Sequence, residues 1–166
     1  MKAFKLLSCL FLGIHAFSCF GESTHYTLHM NEESRSFFEK LREKYLVYGQ
    51  SEIDLFYIEQ MKNEYGPHRP YVMIAFFNHV GSYLEHNDRD HKDCYQMAFW
   101  LVFLCENKIP MGESTTQEIS NFLNLFEEDL QNLCLDLQYA DVEQAIKGIT
   151  FQSIQSKPKQ KQCLLL

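Results

Sequence analysis

Six apolar residues, Ile119, Leu123, Phe126, Leu130, Leu133 and Leu137, return at steps of 4, 3, 4, 3 and 4. That spacing lines them up on one stripe of an α-helix, whereas a strand would scatter them over both faces. The stripe runs for under three heptads, enough for packing in a bundle and too short for a free-standing coiled-coil dimer. Comparable punctuation recurs upstream. Asn31-Glu32-Glu33 reads as a helix start and Gly49 as a stop, with Phe37, Phe38, Leu41, Tyr45 and Tyr48 between them at helical steps. Ser51 with Asp54 resembles a capping box opening a second helix, closed by Tyr65-Gly66-Pro67.

Pro70 suits the first turn of a third helix, apolar almost all round from Tyr71 to Leu84 and therefore expected at the centre. Asn87 or Asp88 is the expected cap of a fourth, with Asp90 and Asp93 in its first turn and Pro110 beyond its end. Thr115 with Glu118 is a second candidate box at the head of the helix that carries the stripe, and Asp141 with Gln144 starts a last short helix ending near Gly148. Residues 31–149 thus read as an all-α domain, a compact bundle of five to six mostly antiparallel helices joined by short loops. Phe76, Phe77, Phe99, Trp100 and Phe103 are its expected core. Tyrosines at the helix margins, Tyr45 and Tyr83 among them, would either pack inward or form an exposed strip.

The two ends have a different character. Residues 1–21 combine Lys2 and Lys5, an apolar run from Leu6 to Phe17, and small residues at Ser18, Cys19 and Gly21. They resemble a secretory signal peptide cleaved after Ser18 or Gly21; a run of about a dozen residues falls short of the ~20 that span a membrane. Ala16-Phe17-Ser18-Cys19 is also similar to a bacterial lipobox, although Phe17 is large for that place. Residues 22–30 follow as an arm of strand-like character. All 22 acidic residues lie between Glu22 and Glu143, against ten basic ones in residues 22–149. Residues 150–166 carry three lysines and no acid, and read as a flexible basic tail on an acidic globule. The tail ends in Cys163-Leu164-Leu165-Leu166, which resembles a prenylation box of the geranylgeranyl type. Lys157, Lys159 and Lys161 stand where a polybasic second signal would hold a lipidated Cys163 to an anionic membrane.

Signal cleavage leaves Cys94, Cys105, Cys134 and Cys163. Cys94 and Cys105 lie eleven residues apart on one helix, about 16 Å, beyond disulfide reach. For antiparallel helices joined near residues 108–114, Cys94 should face about residue 128, so that a Cys94–Cys134 disulfide needs a modest shift. The expectation we favour is free thiols buried as small hydrophobes. The densest group of ligand types is residues 85–94, where His86, Asp90, His91 and Cys94 are the weak metal candidates, His91 and Cys94 sharing a helix face. That stretch is also a turn and helix start, where Asp and Asn serve as caps. A calcium loop does not fit, because the sixth place counted from Asp88 lacks glycine. His79, on an apolar helix, is expected to be buried and hydrogen-bonded, and Glu127-Glu128-Asp129 to be a solvated face.

The net charge of −7 argues against nucleic acid as partner. No nucleophile elbow, zinc-protease box or phosphate loop occurs, and no cofactor is expected. The leading expectation is an exported helical protein that binds another protein, secreted, periplasmic or extracellular, in the manner of a bacterial effector or envelope protein. Three alternatives stand beside it: an effector anchored in a host-cell membrane by prenylation at Cys163, a secreted cytokine-like helical ligand, and a metal-dependent enzyme using residues 86–94.

Overall fold

A computed structural model of the chain describes residues 24–48 and 69–154. In order these form β1 (His25–Met30), α1 (Glu32–Tyr48), α2 (Arg69–Glu85), α3 (His91–Glu106), α4 (Glu113–Leu133), α5 (Tyr139–Lys147) and β2 (Ile149–Ile154). The described residues are thus mainly helical, with one two-stranded sheet added. The putting together of first and last strands corrects the all-α expectation and moves the start of the tail, because residues 150–154 are paired and not free. The signal peptide, the second helix expected at residues 51–66 and the remaining tail lie outside the described residues.

β1 and β2 are antiparallel, from His25 opposite Ile154 to Met30 opposite Ile149. Alternation along β1 turns Leu28 and Met30 into the core and leaves His29 exposed. On its other side β1 is fastened to the α3–α4 loop, where the Tyr26 and Met111 amides each donate to the other's carbonyl at 2.9 Å. Helix α1 then begins at Asn31. Its Oδ1 accepts from the Ser34 amide at 2.8 Å, and its own amide donates to the Gly148 carbonyl at 3.1 Å. One residue therefore caps α1 and joins it to the end of α5.

The central helix is α3 rather than α2. Ten of its side chains are buried, including Cys94, Trp100 and Cys105. Among the described residues α2 buries Val72, Ala75, Phe76, Val80 and Tyr83 but exposes Asn78 and Leu84. The most extensive helix contact is between α1 and α3. It is locked at its rim by Arg42, which donates to both Glu106 carboxylate oxygens at 3.0 Å, and by Gln96, which donates to the Tyr45 hydroxyl at 3.2 Å.

The stripe on α4 packs inward through Ile119, Leu123, Phe126 and Leu130. Aromatic contacts extend from it: Phe126 stacks on Phe122 (centroids 5.2 Å) and Phe38 (6.3 Å), and meets Tyr83 edge-on (6.1 Å). Phe99, Trp100 and Phe76 join the expected core, while Phe77 and Phe103 are only half buried against it.

Several helix ends differ from expectation. Asp90, not Asn87 or Asp88, caps α3, in a complete capping box with Asp93. Gly112 precedes α4, so Thr115 and Glu118 form no box. The α4 stripe stops at Leu133, and Leu137 lies in the turn beyond. α5 starts at Tyr139 behind Gln138, ahead of the Asp141 start. No helix among the described residues is long and apolar enough to cross a membrane.

Candidate functional site

The main concentration of buried polar chemistry lies where the end of α2, the start of α3 and the second half of α4 meet. Tyr83 ends the buried face of α2, and its hydroxyl donates to Asp129 Oδ2 at 2.7 Å. Asp129 sits three residues after Phe126 and one before Leu130, so α4 carries it into the interior on the flank of the apolar stripe. Arg89, in the α2–α3 loop, brings Nε to 2.9 Å from the same oxygen. Its Nη1 donates to the carbonyls of His86 (3.1 Å) and Tyr83 (3.4 Å), and its guanidinium lies over the Tyr83 ring at 5.3 Å. The buried carboxylate thus has a cation and a hydroxyl to compensate its desolvation. Burial pushes the Tyr83 phenol far above its ordinary value, so it stays a proton donor.

Cys94 adjoins this cluster, with its Sγ 3.5 Å from the Tyr83 hydroxyl. Interaction with Cys94 holds the Cys134 thiol below the usual thiol range, opposed by burial and the Asp136 charge and helped by Lys44, while interaction with Cys134 and burial push Cys94 upward. Both sulfurs belong to buried residues, and both are free thiols, as is Cys105.

An open groove of ≈ 490 Å³ runs between α1, α3 and the turn after α4. Lys44 and Val47 form one wall, His91 and Tyr95 another, and Leu133, Leu135 and Asp136 the third. Lys44 spans it, with Nζ 3.5 Å from the Tyr95 hydroxyl and ion-paired to Asp136. The carboxyl of Asp136 is held below its ordinary value by the Lys44 hydrogen bond. Val47 and Leu135 are 84% and 85% exposed. Apolar side chains this open to water are ordinary singly, and notable when two stand at the mouth of one groove.

The four metal candidates are not brought together. The Asp90 carboxylate is spent on the Lys92 and Asp93 amides, and His91 packs edge-on against Tyr95 at 5.5 Å. His86 points at Asp93 from 3.8 Å, and Cys94 faces inward to Tyr83. No group of three or more His, Cys, Asp or Glu able to hold a metal occurs among the described residues. His79 is half-buried, its ring 5.2 Å from that of Trp100. Tyr45 and Tyr83 pack inward rather than forming a strip. Of the acidic run, Glu128 is exposed as expected, but Asp129 is not. Cys163 and the tail lysines lie outside the described residues. No protein-family model, curated protein or solved structure matches this chain.

Proposed function

We propose that this chain is an exported, mainly helical protein that acts by binding a protein partner, in the manner of an effector or envelope protein. The observation that carries the reading is the groove beside Lys44, with Val47 and Leu135 almost fully exposed at its mouth. Apolar surface flanked by an ion pair matches the make-up of a protein-binding patch, an apolar centre with a polar rim. The Lys44–Asp136 pair would set orientation, and desolvating the two aliphatic side chains would supply affinity. Export rests on the leader-like residues 1–21.

The test has two arms. N-terminal sequencing of the protein recovered outside the producing cell should begin at Cys19 or Glu22. A photo-crosslinker at position 135 should give a discrete adduct that Val47→Glu abolishes without changing the circular-dichroism spectrum. An intact chain retained in the cytoplasm, or crosslinking indifferent to Val47→Glu, overturns the reading. The finer version, an effector anchored by a prenylated Cys163 with Lys157, Lys159 and Lys161 against the membrane, draws on the tail alone. Mass spectrometry of the C-terminal peptide after expression in eukaryotic cytosol decides it, and an unmodified Cys163 removes it.

A further inference from the structure

We propose that the outer edge of β2 is a docking surface for a second copy of this chain, joined strand to strand about a twofold axis at Phe151. The direction of the backbone groups fixes what the edge offers. Tyr26 spends both its amide and its carbonyl on Met111, away from β2. In an antiparallel ladder, two residues opposite each other point these groups either toward one another or both away. Ser153, opposite Tyr26, therefore turns its amide and carbonyl away from β1, and by alternation so do Phe151 and Ile149. The Asn31 amide, bonded to the Gly148 carbonyl, has the complementary inward direction. Among the described residues the sheet has two strands, with the Met111 bridge on the far side of β1 and no strand beyond β2.

Such an edge takes extended backbone, and the placing of its groups selects an identical strand. The outward residues Ile149, Phe151 and Ser153 are symmetric about Phe151. An antiparallel copy centred there pairs Phe151 with Phe151 and Ile149 with Ser153, so every outward amide meets a carbonyl and none is left over. The faces agree as well. Phe151 lies opposite Leu28 on the core side and is only half-buried, and Phe151 of the second copy covers it further. Thr150 and Gln152, exposed on the other face, stand opposite each other across the axis. Charge also favours this place on an otherwise acidic molecule. β2 (ITFQSI) has neither the charges nor the proline that usually guard a free edge, and no acidic residue follows Glu143. The edge shares no residue with the groove beside Lys44, so the proposal stands independently of the binding reading.

Sedimentation velocity of the full chain at rising concentration should show a monomer giving way to a dimer. Ser153→Pro removes one outward amide per copy and leaves the inward ladder to β1 intact, since proline is tolerated on an edge strand. The dimer should weaken roughly 30-fold, because the axis makes each pair lose that hydrogen bond twice, while the circular-dichroism spectrum stays unchanged. Hydrogen exchange followed by NMR reads the edge without any substitution. The Phe151 and Ser153 amides should gain protection with concentration, whereas those of Thr150 and Gln152, turned toward β1, should be protected throughout. A single-chain mass up to millimolar concentration overturns the proposal and leaves the edge to a strand of another protein. A dimer indifferent to Ser153→Pro overturns it too. So does protection of Phe151 and Ser153 that is independent of concentration, the mark of another segment of the same chain lying on the edge.

Discussion

Replacing Asp129 by alanine tests whether the buried cluster is one cooperative unit. The carboxylate serves two groups through one oxygen: the Tyr83 hydroxyl at 2.7 Å and Arg89 Nε at 2.9 Å. Tyr83 is only 4% exposed, so its hydroxyl would lose its carboxylate acceptor where water does not reach, at about 1–3 kcal/mol. Breaking a fully buried ion pair costs about 3–5 kcal/mol. The Arg89 side chain is 22% exposed and keeps two carbonyl acceptors, which removes most of that second penalty. The sum for Asp129→Ala is about 3–4 kcal/mol. Tyr83→Phe leaves the Arg89–Asp129 pair intact and loses one hydrogen bond to a charged acceptor, about 2 kcal/mol. With both changes the orphaned hydroxyl no longer exists, so the double variant should lose about 3–4 kcal/mol rather than the sum of the single losses. Urea unfolding followed by fluorescence and circular dichroism gives each value, with the slope against urea required to stay constant. Additive losses, or an Asp129→Ala loss below about 1 kcal/mol, would refute the account of the cluster as one carboxylate shared between a hydroxyl donor and a cation.

Gly148→Ala should destabilise by about 1–3 kcal/mol, because the new Cβ would lie 1.9 Å from Ser34 Oγ and 2.5 Å from Asn31 Oδ1, the atom that caps α1; urea titration checks it, and an unchanged midpoint contradicts that close packing. Lys44→Met should cost under about 1 kcal/mol at neutral pH, since the pair with Asp136 is partly exposed. Asp136 has a folded pKa below its unfolded one, so its contribution exists above 3.8 and disappears as pH falls through the depressed value; a carboxyl titration by NMR that leaves Asp136 depressed in the variant would be the contrary result. Glu118 has the opposite sign: desolvation raises its folded pKa, the folded state keeps the proton longer, and stability falls as pH rises from 4.5 through the raised value. Glu118→Gln should therefore raise Tm at pH 7 and leave it unchanged at pH 3, a comparison that differential scanning calorimetry settles.

What the sequence made legible follows the range of the forces involved. Helices α1 and α4 could be read because their apolar side chains repeat within one turn, a signal each segment carries alone. The order of burial could not: α2 is the more uniformly apolar stretch, yet α3 takes the centre because α1 packs along it. Asn87, Asp88 and Asp90 are chemically equivalent caps, and the choice among them depends on Arg89 reaching Asp129 and the Tyr83 carbonyl. The acidic run hid Asp129 among solvated neighbours. Its distance of three from Phe126 was the available clue, since that offset belongs to the buried flank. β1 showed its alternation, but β2 (ITFQSI) is short and half polar, and nothing local announces a partner so distant in sequence.

The sheet also has a temporal side. Its two ribbons come from the outset and the close of the body, His25 opposite Ile154, with every described helix synthesised between them. An emerging chain holds the earlier ribbon unpaired along one edge until Ile149 to Ile154 arrive. Completion of the sheet is thereby deferred until β2 has been made. A chain cut short of Ile149 would therefore leave β1 unpaired along that edge.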